Sequence, residues 1–85
     1  MKKFDYIIMD PNGIHAIPTC KLATKAKRFK SSISIVGNNK KVDMIDIIGV
    51  MGMNIKYKDR ITIEIEGSDE EEAYIHLEKT FKDEF

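Results

Sequence analysis

Along RITIEIEG, residues 60–67, Ile61, Ile63 and Ile65 fall on one side of an extended chain and Thr62, Glu64 and Glu66 on the other, the pattern of a strand with one wet face. SISIV at 32–36 and KVDM at 41–44 alternate in the same way. The GNNK between them offers Gly and Asn where a tight turn needs positive φ, so residues 32–44 read as a β-hairpin. FDYIIM at 4–9 is rich in β-branched and aromatic side chains and stops at the turn formers DPNG, which predicts a first strand.

Between Ala16 and Phe29 the period changes. Leu22, Ala23, Ala26 and Phe29 recur at three- and four-residue spacing while Lys21, Lys25 and Arg28 share another stripe, so an amphipathic helix with a basic outer face is expected. DIIGVMGMN at 46–54 reads as a short Met-rich helix with Asp46 as N-cap and Asn54 as a left-handed C-cap. In SDEEEAYIHLEKTF a capping box, from Ser68 to Glu71 or from Asp69 to Glu72, precedes Ala73, Leu77 and Phe81 at helical spacing. The order β-α-β-β-α-β-α, with strands wet on one face, predicts an open α/β sandwich formed by a single domain over residues 1–85.

Composition narrows the function classes. Fourteen basic and 14 acidic side chains cancel, which removes any general attraction to nucleic acid or to an anionic membrane. The charges are nonetheless polarised, with Lys21, Lys25, Lys27, Arg28 and Lys30 in one segment and Asp69, Glu70, Glu71 and Glu72 near the other end. One cysteine, Cys20, forms no internal disulfide, and no apolar run approaches the roughly 20 residues that span a bilayer. The N-terminal segment resembles a signal peptide only until Asp5 and Asp10 interrupt it, so a cytoplasmic location is expected.

The candidate chemistry lies at GIHAIP, residues 13–18. His15 stands at a helix start, beside backbone N–H groups of Ala16, Ile17 and, at the margin, Thr19 that lack intrahelical acceptors, while Pro18 has no N–H to leave unsatisfied. Such an end attracts anions, and its positive dipole disfavours an imidazolium, leaving a ring nitrogen able to attack an electrophile. Those two effects suit a histidine that carries a phosphoryl group.

GIHAIP, IIGVMGM at 47–53 and EGSDEEEA at 66–73 together resemble HPr, the histidine-containing phosphocarrier family of the bacterial sugar phosphotransferase system, essentially end to end. The resemblance implies an HPr-like open-faced β-sandwich, a four-stranded antiparallel sheet covered on one face by three helices. It makes His15 the acceptor of a phosphoryl group from Enzyme I, to be passed to IIA proteins, with the backbone N–H groups of Ala16 and Ile17 binding the phosphoryl oxygens. The family pattern has arginine where this chain has Ile17, so a charged fork is missing, and Lys21, one turn on, is a candidate to supply part of that charge. Asp46 stands in the place of the family's regulatory serine, either as a plain N-cap or as a one-charge imitation of phosphoserine.

Ile47, Ile48 and Met51 match the family's apolar docking patch, and Lys21, Lys25 and Arg28 its basic rim; Val50 and Met53 read as core. Cys20 is about 140° round the helix from His15, too far for a thiolate–imidazole pair, and reads as a packing residue. His76 has no second ligand at metal spacing, so no metal or cofactor is expected. No aromatic stacking platform supports a nucleic-acid partner. A monomer is expected, and the alternative to a carrier is an HPr-like adaptor for a catabolite regulator.

Overall fold

The computed structural model describes residues 1–85. Its elements are β1 (Lys2–Ile7), α1 (Ala16–Ala26), β2 (Ser32–Gly37), β3 (Lys40–Asp43), α2 (Ile47–Met51), β4 (Arg60–Glu66) and α3 (Glu70–Glu84). All strand pairings are antiparallel, in the order β1-β4-β2-β3. Because side chains alternate across a strand, the register decides which face is dry. Ile33 stands opposite Ile65, Ile35 opposite Ile63, and Phe4 opposite Ile63 from the other side, and all are buried. Lys3 opposite Glu64, and Asp5 opposite Thr62, form the wet face. Leu22 and Ala26 of α1, Val50 of α2, and Ala73, Leu77 and Phe81 of α3 join the isoleucines in one core. The expected open-faced sandwich is what forms.

Several boundaries differ from the sequence expectation. β1 starts at Lys2 and ends at Ile7, two residues earlier than FDYIIM. Pairing with β4 runs from Lys2↔Ile65 to Ile7↔Arg60, and an edge strand tolerates lysines. Ile8 and Met9 leave the ladder, their N–H groups donating instead to the carbonyls of Asp59 (3.0 Å) and Phe85 (2.7 Å). α1 stops at Ala26, since Arg28 and Phe29 donate to carbonyls three residues back and tighten the last turn; Phe29 still packs against the core. In the hairpin it is Asn38 (φ 48°) and Asn39 (φ 63°) that take positive φ, while Gly37 stays in β2. α2 is confined to Ile47–Met51, and Asn54 takes the left-handed conformation (φ 60°) beyond it.

Neither predicted capping box forms. Asp69 is the residue before α3, but its carboxylate accepts from the backbone N–H groups of Lys30 (2.8 Å) and Ser31 (2.9 Å) and from the Ser31 hydroxyl. It ties α3 to the entry of β2, and the capping contact is made by Glu70, which accepts from Gly67 N–H at 3.2 Å. No helix is long and apolar enough to cross a membrane.

Candidate functional site

The segment before α1 is pinned from two sides. Gly13 N–H donates to the Asp10 carbonyl at 2.8 Å and Ile14 N–H to the Ile55 carbonyl at 3.1 Å. Gly13 has φ 65°, and a Cβ there would lie 2.9 Å from Lys56 Cα and overlap the Ile55 carbonyl, so only glycine fits this crossing. The turn delivers His15, in extended conformation, to the N-cap of α1.

The His15 carbonyl accepts from Thr19 N–H at 3.1 Å and from the Thr19 hydroxyl at 2.6 Å. Thr19 is therefore buried and satisfied rather than a free donor. The unpaired donors of the first turn are those of Ala16 and Ile17. His15 gives them no side-chain cap; its Nε2 lies 2.9 Å from Asp10 Oδ2. The other carboxylate oxygen of Asp10 accepts from Asn12 N–H at 2.8 Å. The bond from His15 first, and that from Asn12 second, hold the Asp10 carboxyl below its ordinary range. Phe85 packs edge-on against the imidazole, and Nδ1 of His15 carries no hydrogen bond.

Beyond the histidine, Ile17 is 71 % exposed. A shallow groove runs along α1 past Ala16, Ile17, Cys20, Lys21, Lys25 and Arg28. Cys20 is exposed in that groove, not the packing residue its size suggested; Pro18, Thr19, Leu22 and Ala23 fill the core side of those turns. Lys21 Nζ pairs with Glu84 Oε1 at 3.4 Å, so its charge is already partnered, although an exposed pair of this kind is weak. α2 packs against α1. Asp46 Oδ1 accepts from Gly49 N–H at 3.0 Å, the expected cap. Ile48 is 85 % exposed, Met51 is exposed and Ile47 half-buried, whereas Val50 and Met53 are buried. His76 is exposed and rests beside the Phe29 ring. No group of three or more His, Cys, Asp or Glu side chains is placed to hold a metal ion.

A family model described as the PTS HPr component phosphorylation site matches residues 2–83. The chain belongs to the HPr family. The phosphocarrier protein HPr of Mycoplasma genitalium is 45 % identical over 74 residues, covering 86 % of this chain and 84 % of that protein. HPr of Mycoplasma capricolum is 40 % identical over 83 residues, covering 98 % and 93 %. Among solved structures, that of a Mycoplasma histidine-containing phosphocarrier protein superposes with a TM-score of 0.93 at 39 % identity, covering 96 % of this chain and 93 % of that one. As an HPr, the chain is a phosphocarrier of the phosphotransferase system, with components of that system as its partners; the adaptor alternative is not favoured.

In this HPr the two departures noted in the sequence occupy exposed positions: Ile17 presents an alkyl group beside the histidine, and Asp46 caps α2. Two residues of the site escaped the sequence reading. Asp10 was legible only as a turn former, although an aspartate two residues before a free N–H is the signature of a side chain folded back on its own turn. Phe85, 70 positions from His15, carries no local signal at all.

Proposed function

We propose that His15 is the residue that carries the phosphoryl group, and that the attacking atom is Nδ1. Its lone pair forms the new nitrogen–phosphorus bond as the bond from phosphorus to the donor breaks. The observation that carries this reading is the pairing of an Nδ1 free of hydrogen bonds with two unpaired N–H groups, Ala16 and Ile17, at the helix start where His15 sits. Phosphoryl oxygens placed there receive backbone hydrogen bonds and the positive end of the dipole.

In the same reading Enzyme I supplies the phosphoryl group and IIA proteins receive it, in the cytoplasm, with the chain acting as a one-domain monomer. Ile47, Ile48 and Met51 form the apolar part of the docking surface and Lys21 its basic rim, which sets association rate more than affinity. Position 46 has no hydroxyl, so serine phosphorylation there is closed to this chain. A catabolite regulator, if one binds, would meet the fixed carboxylate of Asp46.

Incubation with phosphoenolpyruvate and Enzyme I, beside His15→Ala, tests the assignment. Intact mass under non-acidic conditions and phosphorus NMR should show one phosphohistidine, confined to the parent chain and transferable to a IIA protein. Equal labelling of His15→Ala would move the site elsewhere, and no labelling of either protein would reject the carrier role.

A further inference from the structure

We infer that Asp10 is a positioning residue for phosphoryl transfer: its carboxylate fixes the proton of the His15 ring on Nε2 and so leaves the lone pair of Nδ1 for phosphorus. This rests on the reading of His15 as the phosphoryl carrier. The geometry is a 2.9 Å contact between His15 Nε2 and Asp10 Oδ2. An ionised carboxylate only accepts hydrogen bonds, so the nitrogen facing it must carry a hydrogen. In a neutral imidazole the other nitrogen is then bare.

Asp10 is held rigidly enough to impose this choice. Its Oδ1 accepts from Asn12 N–H at 2.8 Å, which holds the carboxylate, and its carbonyl accepts from Gly13 N–H at 2.8 Å, which holds the turn that carries it. The hydrogen bonds it accepts, that from His15 foremost, hold its carboxyl below the ordinary range and keep it ionised at neutral pH. Phe85 limits the imidazole from another side. Lys21 of α1 and Glu84 of α3 are paired with each other at 3.4 Å.

The same contact acts after transfer. When Nδ1 attacks, phosphorus gains a bond to Nδ1 and loses its bond to the donor, and the proton on Nε2 stays where it was. The phosphorylated ring is thus a cation, facing the Asp10 carboxylate. Onward transfer releases a neutral imidazole, a better leaving group than the anion that would depart if Nε2 had lost its proton. Asp10 therefore favours both halves of the shuttle without touching phosphorus.

Asp10→Asn is the decisive substitution, because it nearly preserves shape while reversing the hydrogen-bond logic. Its amide oxygen can keep the Asn12 bond, which leaves the NH₂ facing His15 Nε2 as a donor and selects the ring with hydrogen on Nδ1. A wrong-tautomer substitution of this kind is severe in a buried triad; at this half-exposed ring the expected fall in transfer rate is about 10-fold or more. Nitrogen-15 NMR of the unphosphorylated protein should show hydrogen on Nε2 in the parent chain and mainly on Nδ1 in Asp10→Asn. Asp10→Ala removes the acceptor without adding a donor, so it should give a mixture of the two tautomers and a smaller rate loss.

A parent chain with hydrogen on Nδ1 would overturn the inference, as would an Asp10→Asn protein that transfers at the parental rate. If the parent chain takes no phosphate from Enzyme I, the carrier reading fails by itself. The tautomer spectra, which need no phosphate, would still decide whether Asp10 governs the ring.

Discussion

The ring of Phe85 stands edge-on to the imidazole of His15, with centroids 6.3 Å apart and planes at 85°. Phe85 is buried, lies 5.7 Å from the Phe81 ring, and accepts from Met9 N–H through its carbonyl at 2.7 Å. The end of α3 is thus a wall of the site as well as part of the core. Phe85→Ala should lower stability by about 2–4 kcal/mol, read from urea unfolding. It should also slow transfer beyond the effect of Leu77→Ala, an equally buried truncation elsewhere in α3. Equal rates in the two variants would reduce Phe85 to packing alone.

Ile17 offers the phosphoryl group no side-chain donor. A guanidinium there could add a bidentate, charge-assisted contact of roughly 1.5–3 kcal/mol. Ile17→Arg should therefore raise the rate of transfer by about 10-fold or more, measured with Enzyme I and phosphoenolpyruvate. A rate unchanged from the parent chain would mean that the backbone donors of Ala16 and Ile17 already suffice.

Asp46 and Gly49 form one device. The carboxylate accepts from Gly49 N–H at 3.0 Å, and a Cβ on Gly49 would overlap that carboxylate and lie 2.9 Å from Val42 Cγ1. Asp46→Ala should cost about 1 kcal/mol in chemical denaturation, and Asp46→Ser much less. Gly49→Ala should also destabilise, even though alanine ordinarily favours a helix over glycine by about 1 kcal/mol. Should Gly49→Ala prove stabilising, the crowding at this cap is not what keeps glycine there.

Asp69 sets a pH dependence. The Ser31 hydroxyl first, then the Lys30 N–H, lower its folded pKa below the ordinary 3.8. A depressed folded pKa gives stabilisation that is complete above the unfolded value and disappears as pH falls through the folded one. The stability difference between the parent chain and Asp69→Asn should therefore be level at neutral pH and shrink once pH drops below about 4. Denaturation curves of the two proteins from pH 7 to pH 2 measure it, and a constant gap throughout would remove Asp69 from the acid response.

How far the sequence reaches is clear from particular residues. Ile61, Ile63 and Ile65 announced a half-buried strand because period two survives any tertiary context that keeps one face dry. Ala73, Leu77 and Phe81 did the same for α3. The start of β1 was less legible, since Lys2 and Lys3 join the sheet only because β4 offers them partners. Asp69 looked like a capping residue, and its local propensity lost to three donors around residues 30 and 31. At the site, the place of His15, Ala16 and Ile17 at the start of α1 was legible in the sequence, whereas the reach of Asp10 and the approach of Phe85 depend on the closed fold.

The strand order has a consequence for how the protein comes into being. β1 pairs only with β4, Lys2 with Ile65 and Ile7 with Arg60, and the turn holding His15 is fastened to the carbonyls of Ile55, Asp59 and Phe85. Contacts between such distant parts of a chain form late in folding. During synthesis His15 leaves the ribosome early, yet the distant carbonyls that fasten its surroundings emerge later, those of Ile55 and Asp59 first and that of Phe85 last. A nascent chain therefore exposes the histidine before the contacts from Ile55, Asp59 and Phe85 that hold its surroundings in place have formed.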